Sequence, residues 1–561
     1  MCCSRRLCTR RYNKVVGWRV AFPKKKRTFG GRCDAPPNQL SILYVQNTVR
    51  RFFTILCLVL LAATSLSARQ SVKPLEIKIQ SGEKWWGLAV APDRLSLPFD
   101  RPFVVNSGEF SPALYHANML LSNRGRYLWS PEEITVSYDG KRLVVSGAEG
   151  VELKVEKVGR TLREAYLMCC HRNFPPTNLE ASEVLFGAPI YELGGVDALL
   201  YTQQSVVEFA DKLKSLEVPA GTILIPQGWN SPSGAFYFDP EAYPDPKAMI
   251  DELHRRGVKV MLTVTPYVMA AGRGYRQSLK DGALYMDDDG RPVVFQSRVG
   301  YTALRRLTPE VAEGIARELE VLQKEWGIDG FYFDCLDAME LLGSNPARLE
   351  EFLKAWATAS KGVDVAIYSS PMGQQLGSTA SSLSSVRNYT WEQLAESLTR
   401  AVDASVLGYS RTLLAADLNF PEGDPGLVAR TASLGALLPV AIVPYSVWSL
   451  EDITPVREVL RWREGQRDYY MELARQGATS AEPLLRHLEY QFPRTGFTNC
   501  SDEFMIGPKW LVAPVVSGSD VRMVRLPKGK WKELSTGRVF KGPRVIDVNV
   551  SDGLTPIYEK Q

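Results

Sequence analysis

Hydrophobic and polar residues alternate over short stretches in the first third of the chain, after about residue 74. Turn residues separate these stretches, which include Leu75–Gln80, Ile134–Tyr138 and Val151–Glu156. A period of two places every second side chain on the same face of a strand. Several short strands of this kind predict an antiparallel β-sandwich, which we assign to residues 69–187.

The period changes to alternating helices and strands beyond residue 188. One apolar helical face carries Val206, Phe209, Leu213 and Leu216, and the buried strand Thr222–Ile225 follows it. In the next unit, Asp245 is an expected N-cap with proline in the first turn, and Gly257 ends the helix before the strand Val258–Val264.

Further units of the same kind continue for nearly 300 residues. A helix begins at Thr308-Pro309 and ends at Gly327, and the expected strands are 328–334, 363–368 and 440–444. Because no dinucleotide-binding turn is present, the repeated units favour a (β/α)8 TIM barrel over a doubly wound sheet. We assign the barrel to residues 188–478, closed by a helix over about 455–476, and a small C-terminal β-domain to residues 479–561.

The first 68 residues have a different character. Arg50 and Arg51 precede the apolar run 52–63, and small residues follow it, which is the order of a secretory signal. The run is short for a membrane span. We therefore expect a signal peptide over 49–68, a mis-annotated leader over 1–48, and export to a secreted or periplasmic location. The alternative is a membrane anchor formed by residues 52–63.

Charge and composition exclude several classes of function. From Arg69 onward the chain has 54 basic and 61 acidic residues, a net charge of −7, which offers no basic surface for nucleic acid. The four histidines are scattered, and the cysteines of this part (Cys169, Cys170, Cys335 and Cys500) lack C-x-x-C spacing. We expect packing roles for the thiols, and neither a metal nor a cofactor.

The active site of a parallel barrel lies at the carboxyl ends of its strands. Asp334 ends the strand that contains Phe331 and Tyr332, so its carboxyl projects where catalytic groups are found. The alternative for Asp334 is a cap on the following turn. For Asp337, three residues on, an N-cap or supporting role is favoured over catalysis.

Three tryptophans also follow barrel strands, at Trp229, Trp391 and Trp448. Aromatic faces at a barrel mouth pack well against the C–H bonds of sugar rings, although any one of them could equally be a core residue. Together they favour carbohydrate as the ligand.

Longer motifs resemble those of glycoside hydrolase family 31, the α-glucosidase and α-xylosidase family. The similar segments are Trp85-Trp-Gly87, Gly125–Trp129, Thr161–Tyr166, Gly234–Met249 with Glu252–Leu262, Gly330–Asp337, Asp502–Gly507, Leu511–Val515 and Leu526–Trp531. This resemblance implies retaining hydrolysis of α-glycosides, with Asp334 as the nucleophile and a second aspartate as the acid/base. The resemblance and the aromatic residues together suggest Trp229, Tyr332, Trp391 and Asp417 as substrate-binding residues.

The chain departs from the family pattern at the acid/base. Related members carry an aspartate five residues before a tryptophan, and here Val386 stands five residues before Trp391. Further family residues are replaced by Pro226-Gln227, Tyr332 and Arg306, whereas Asp417 matches an aspartate that lines the site. The candidates for a substitute acid/base are Asp417, Asp403 and Asp337.

Two functions are consistent with this pattern. The first is an α-glycoside hydrolase with an altered pocket, acting on an oligosaccharide or glycoside without a stable transmembrane span. The second is a carbohydrate-binding or structural relative that has lost turnover, because valine cannot donate a proton to a leaving group.

Overall fold

The computed structural model of this protein describes residues 73–561 apart from a few internal segments. Those segments are 112–113, 177–181, 195–200, 231–235, 271, 288, 298, 372–379 and 384–387. The expected leader, signal peptide and alternative anchor lie outside the described residues, as does Val386. In the part of the chain that is described, no helix combines the length and apolar character needed to cross a membrane.

Two four-stranded antiparallel sheets form the N-terminal β-sandwich, as predicted. The strands are β1 (Leu75–Lys78), β2 (Trp85–Ala89), β3 (Phe103–Asn106), β4 (His116–Ser122), β5 (Arg126–Trp129), β6 (Ile134–Tyr138), β7 (Arg142–Gly147) and β8 (Glu156–Lys157). One sheet has the order β1-β7-β6-β3 and the other β2-β4-β5-β8. Ile77, Trp85, Leu128, Val136 and Val145 are buried in the core of the sandwich.

The strand predicted over Val151–Glu156 forms only at its end. Residues 151–155 are irregular, although Leu153 and Val155 still pack against the sandwich core. The alternating pattern thus places the apolar side chains correctly without producing a strand. A strand also needs a neighbouring backbone edge, and β8 pairs with β5 only from Glu156.

The strands of the central region are β9 (Ile190–Glu192), β10 (Thr222–Ile225), β11 (Lys259–Val264), β12 (Tyr267–Met269), β13 (Val294–Ser297), β14 (Gly300–Leu304), β15 (Gly330–Phe333), β16 (Ala366–Tyr368), β17 (Ala380–Ser382), β18 (Thr412–Leu413) and β19 (Ile442–Val443). Eight of them form a parallel sheet in the order β18-β17-β16-β15-β11-β10-β9-β19. The Val440 N–H donates to the Thr412 carbonyl at 3.2 Å and links the two ends of the sheet. This is the predicted barrel, and β12-β14-β13 form a small antiparallel sheet beside it.

Helices connect the strands and cover the barrel. They are α1 (Leu162–Asn173), α2 (Glu183–Phe186), α3 (Gln203–Ser215), α4 (Pro246–Arg255), α5 (Arg273–Lys280), α6 (Pro309–Val321), α7 (Leu336–Leu342), α8 (Pro346–Ala359), α9 (Trp391–Ser405), α10 (Pro425–Leu437), α11 (Thr454–Gly465), α12 (Arg467–Ser480) and α13 (Leu488–Gln491). The predicted cap of α4 is confirmed, since the Asp245 carboxylate accepts the Ala248 N–H at 3.0 Å. Gly257 adopts φ +73° just beyond that helix, a conformation that favours glycine.

The single helix expected over about 455–476 is instead two helices, α11 and α12, that meet at Gln466. The Gln466 N–H donates to the carbonyls of both Trp462 and Arg463, which closes α11 with a tighter turn. The Arg463 side chain is buried beside this turn. The apolar period runs through the break and does not reveal it.

The C-terminal domain is one six-stranded sheet in the order β20-β21-β22-β25-β23-β24. Its strands are β20 (Leu485–His487), β21 (Phe504–Ile506), β22 (Trp510–Val512), β23 (Val521–Glu533), β24 (Val539–Asn549) and β25 (Ile557–Lys560). The side chains of Cys169, Cys170, Cys335 and Cys500 are buried, in agreement with the predicted packing roles.

Candidate active site

Polar side chains collect at the carboxyl ends of the barrel strands. Each barrel strand, or the segment directly after it, supplies at least one polar side chain. These side chains belong to Glu192, Gln227, Thr263, Thr265, Tyr332, Asp334, Ser369, Ser370, Ser382, Asp417 and Tyr445. Several are almost fully buried, so the strand ends form a polar site set on an apolar barrel core.

Asp334 follows β15 directly and is 4% exposed. Its Oδ1 accepts the Leu336 N–H at 3.2 Å, and its own N–H donates to the Val264 carbonyl at 2.9 Å. The predicted turn contact is therefore present, although the N-cap position of α7 belongs to Cys335. These bonds orient the carboxyl group, and its predicted role as nucleophile is compatible with them.

Asp337 lies in the first turn of α7, one position inside the helix, and is partly buried. It occupies neither the N-cap position nor the strand end. The helix begins beside Asp334, so both carboxyl groups lie at the same end of the barrel.

Tyr332 connects β15 with the opposite side of the barrel. Its ring is 1% exposed, and its hydroxyl accepts the Ala416 N–H at 3.1 Å. Two strands, β16 and β17, lie between β15 and the segment after β18. The tyrosine side chain therefore reaches across the barrel, two residues before Asp334.

Glu192 is a functional-site residue that the sequence analysis did not single out. It ends β9 and is 2% exposed. Its Oε1 accepts the Asp417 N–H at 2.6 Å, and its Oε2 accepts the Tyr445 N–H at 3.2 Å. One buried carboxylate thus joins the segments that follow β18 and β19. In the sequence, the feature that could have identified Glu192 is its position as an acidic residue at the end of an apolar strand.

Asp417 has φ +69°, in the left-handed region that non-glycine residues rarely occupy. Such a conformation costs a non-glycine residue about 1 kcal/mol, and neighbouring contacts must hold it. Here the N–H groups of Ala416 and Asp417 donate to Tyr332 and Glu192, respectively. The structure therefore brings together Tyr332, Asp334 and Asp417 at one end of the barrel.

Trp229 lies at this end too, but its ring is 1% exposed. Its Nε1 donates to the Thr263 carbonyl at 2.7 Å, and the ring packs on Phe238. Trp448 is similarly buried, and its Nε1 donates to the Glu192 carbonyl at 3.0 Å. Both indoles support the strand ends, and the expected sugar contact of Trp229 stays a prediction.

Trp391 opens α9 and is half-buried. Its Nε1 donates to the Asp424 carboxylate at 2.9 Å, and Asp424 also caps the start of α10. The Arg430 guanidinium lies 5.7 Å from the centre of the ring. The indole thus connects the first turns of two neighbouring helices, and its predicted sugar contact stays untested.

Asp403, one of the three acid/base candidates, is not brought to this site. It lies in the last turn of α9, which begins at the carboxyl ends of the strands and runs toward the amino ends. The side chain is buried, which raises the pKa of its carboxyl well above the usual range. Because helix direction in a barrel opposes strand direction, Asp403 lies at the wrong end for catalysis.

A further group of possible metal ligands lies in the C-terminal domain. Among the described residues, ligand atoms of Cys500, Asp502 and Glu503 lie within 4.8 Å of one another. Arg522 contacts Asp502 at 3.0 Å, and Arg525 contacts Glu503 at 3.2 Å. These guanidinium groups neutralise the carboxylates and oppose the binding of a second cation there.

Comparison with known families places this geometry in context. Residues 188–360 match the glycosyl hydrolases family 31 TIM-barrel domain, and residues 481–561 match the glycosyl hydrolase family 31 C-terminal domain. The curated relatives include a 1,3-alpha-isomaltosidase of Kribbella flavida, 25% identical over 64% of this chain and 58% of its own length. An alpha-xylosidase of Lactiplantibacillus pentosus is 23% identical over 61% of this chain and 49% of its own.

Solved structures share the fold. An alpha-xylosidase from a soil metagenome, complexed with xylose, has a TM-score of 0.68 at 18% identity and covers 87% of this chain and 79% of its own. A Flavobacterium johnsoniae dextranase complexed with glucose has a TM-score of 0.68 at 16% identity, covering 88% and 68%. The chain spans only about half to three-fifths of the length of the curated relatives it matches.

Proposed function

Because this chain belongs to glycoside hydrolase family 31, we propose that it hydrolyses α-linked sugars by a retaining mechanism with Asp334 as the nucleophile. The names of its relatives point to α-linked gluco- or xylo-configured oligosaccharides as the substrate class. The observation that carries the proposal is the buried, oriented carboxyl group of Asp334 at the end of β15, inside the segment that matches the family's barrel.

In the first step, a carboxylate oxygen of Asp334 attacks the anomeric carbon and forms a glycosyl ester, while the bond to the leaving oxygen breaks. A second carboxyl group donates its proton to that oxygen. It then removes a proton from the water that hydrolyses the ester, which restores both groups.

Asp417 is the candidate that geometry favours for the second carboxyl. The segment after β18 runs beside the segment after β17, since the Tyr389 N–H donates to the Asn419 carbonyl at 2.7 Å. Tyr389 stands three residues after Val386, the family's acid/base position. Asp417 therefore belongs to the segment that is bonded to Tyr389, whereas Asp337 lies in the helix that begins beside Asp334.

A carbohydrate-binding relative without turnover is the second candidate function. The replacement of the family's acid/base by Val386 favours it, because loss of a general acid lowers the rate by about 10² to 10⁴. This loss is selective. It affects substrates with basic leaving oxygens far more than aryl glycosides, whose leaving groups need little protonation.

The two functions separate in one assay. Wild-type protein is tested on 4-nitrophenyl α-glucoside and α-xyloside, and on the matching methyl glycosides, with an epoxide or fluorosugar inactivator to label the nucleophile. Hydrolysis of the aryl glycosides with the label on Asp334 supports the proposed enzyme. Calorimetric binding without any turnover supports the binding protein.

Val386→Asp should raise the rate on methyl glycosides if Val386 occupies the acid/base position.

We also propose that the protein is exported, on the order of the basic residues, the apolar run and the small residues before Arg69. N-terminal sequencing of protein from the culture medium or periplasm should find a start near 67–70. An intact residue 1 in the mature protein would refute this proposal.

A further inference from the structure

Glu192 is a nearly inaccessible carboxylate, 2% exposed, that accepts hydrogen bonds from backbone N–H groups. Its Oε1 and Oε2 accept from Asp417 and Tyr445, at 2.6 and 3.2 Å. A charged acceptor forms stronger hydrogen bonds than a neutral one, and here two loops from different strands share it. The backbone carbonyl of Glu192 additionally accepts the Trp448 indole N–H at 3.0 Å.

The segment that Glu192 holds has a conformation that needs support. Asp417 is at φ +69°, and the preceding N–H, that of Ala416, is held by the Tyr332 hydroxyl. Two successive backbone N–H groups are therefore anchored by side chains from β9 and β15. The direction of the Asp417 side chain follows from the backbone that these anchors impose.

We propose that Glu192 is a positioning residue, which acts by holding the Asp417 carboxyl in place relative to Asp334. This inference rests on the proposed function. It adds a residue from the first barrel strand to the site. It also implies that Tyr332 helps to hold the segment of Asp417, besides any contact with the sugar. Misplacement of a reacting group by about 1 Å can lower a rate about 10²-fold.

The test is a double-mutant cycle between Glu192→Gln and Asp417→Asn, with kcat and KM measured on 4-nitrophenyl α-glucoside and α-xyloside. Glutamine keeps the shape of the side chain but replaces one acceptor with a donor that faces an N–H group. We expect Glu192→Gln to lower kcat/KM about 10- to 100-fold. On the Asp417→Asn background the same change should cost less than about twofold, since the group it positions is already lost.

Glu489→Gln is the matched control. Glu489 is also fully buried, and it accepts the Arg494 N–H at 2.9 Å and the Thr498 hydroxyl at 3.1 Å, but it lies in the C-terminal domain. Both variants should lose thermal stability, and only Glu192→Gln should lose kcat/KM. If Glu192→Gln does not fold, Tyr332→Phe removes the other anchor of the same segment and should show the same non-additivity with Asp417→Asn.

The outcomes separate the two proposals. Additive losses in the cycle, or equal losses from Glu192→Gln and Glu489→Gln, overturn the positioning role while leaving the hydrolase intact. If wild-type protein shows no turnover, the hydrolase is refuted, and the cycle is repeated with the dissociation constants of methyl α-glucoside and α-xyloside. Non-additive losses of affinity then support the positioning role, and absence of binding overturns it.

Discussion

The two ends of the barrel bury charged groups of opposite sign, and each of these groups forms hydrogen bonds with the backbone. At the carboxyl ends of the strands, Glu192 accepts two N–H groups from separate loops. At the amino ends, the Arg463 guanidinium donates to the carbonyls of Ala436, Leu438 and Pro439 at 2.7–2.9 Å. Its guanidinium carbon also lies 3.9 Å from the centre of the Tyr470 ring.

The two buried charges differ in the backbone segments that they bind. Arg463 binds carbonyls at the end of α10, where the helix dipole is negative, and ties that end to the chain entering β19. Because these contacts lie at the end of the barrel opposite Asp334, we expect them to affect stability and not activity. Glu192 joins two loops at the end of the barrel where Asp334 lies, and we propose that its contacts position a group of that site. A buried charge bonded to backbone groups is thus expected to stabilise one end of the barrel and to position a side chain at the other.

Asp334→Asn should produce the largest effect. Asparagine keeps an oxygen for the Leu336 N–H, so we expect little change in melting temperature, while removal of the nucleophile lowers kcat by about 10⁴-fold or more. The control is Asp329→Asn at the opposite end of β15, where the carboxylate accepts the Val260 N–H at 2.8 Å. That change should lower stability modestly and leave kcat unchanged. Equal activity in the two variants would contradict the proposed nucleophile.

Arg463→Met should have the largest effect on stability. It leaves three buried carbonyl groups without their donor, and we expect the free energy of unfolding to fall by about 3–5 kcal/mol. Arg461→Met in the same helix is the control, because Arg461 is exposed and its pair with Glu217 contributes under about 1 kcal/mol. Denaturant unfolding measures both, and similar losses would show that the buried cation has no special role.

His487 is a third buried titratable group, and its surroundings disfavour its charged form. Its Nδ1 accepts the Glu489 N–H, and burial lowers the pKa of its imidazole to about 4, below the ordinary 6.5. The unfolded chain then binds a proton that the folded chain does not. The contribution of neutral His487 to the free energy of unfolding is therefore complete above about pH 6.5. The free energy of unfolding falls by about 3 kcal/mol as the pH drops to about 4.

His487→Asn keeps an acceptor for the Glu489 N–H and removes the titrating group. Its stability should therefore fall less than that of the wild type between pH 6.5 and pH 4 in denaturant titrations. The exposed His171, replaced in the same way, serves as the reference. Parallel pH curves for wild type and His487→Asn would show that His487 does not couple folding to protonation.

Asp403→Asn should have the smallest effect. Burial raises the pKa of this carboxyl, so the wild type loses stability as the pH rises through the raised value, and asparagine removes that loss. The variant should equal or exceed the wild type in stability at alkaline pH, by up to about 1 kcal/mol, with kcat unchanged. A drop in kcat of tenfold or more would return Asp403 to the acid/base candidates.

Local signals explain which elements the sequence analysis placed well. The strand β10 coincides with its predicted bounds, and the start of α4 agrees with the predicted cap at Asp245. Both depend on residues within one element: an apolar run, or a capping side chain and a proline. The break at Gln466 and the irregular residues 151–155 were missed, because the first is a tightened backbone turn that the apolar period does not reveal and the second depends on the reach of a neighbouring strand.

The sequence alone determined the barrel, its two flanking β-domains and the position of Asp334 at a strand end, since period and motif order are properties of the chain itself. Only the tertiary structure decided which side chains meet. Glu192 and Asp417 are 225 residues apart in sequence and share a hydrogen bond. Asp403 and Asp417 are near in sequence and lie at opposite ends of the barrel. Closing the barrel brings the end of its first strand beside the segments that follow its last two strands, and no local pattern in the sequence encodes which residues meet there.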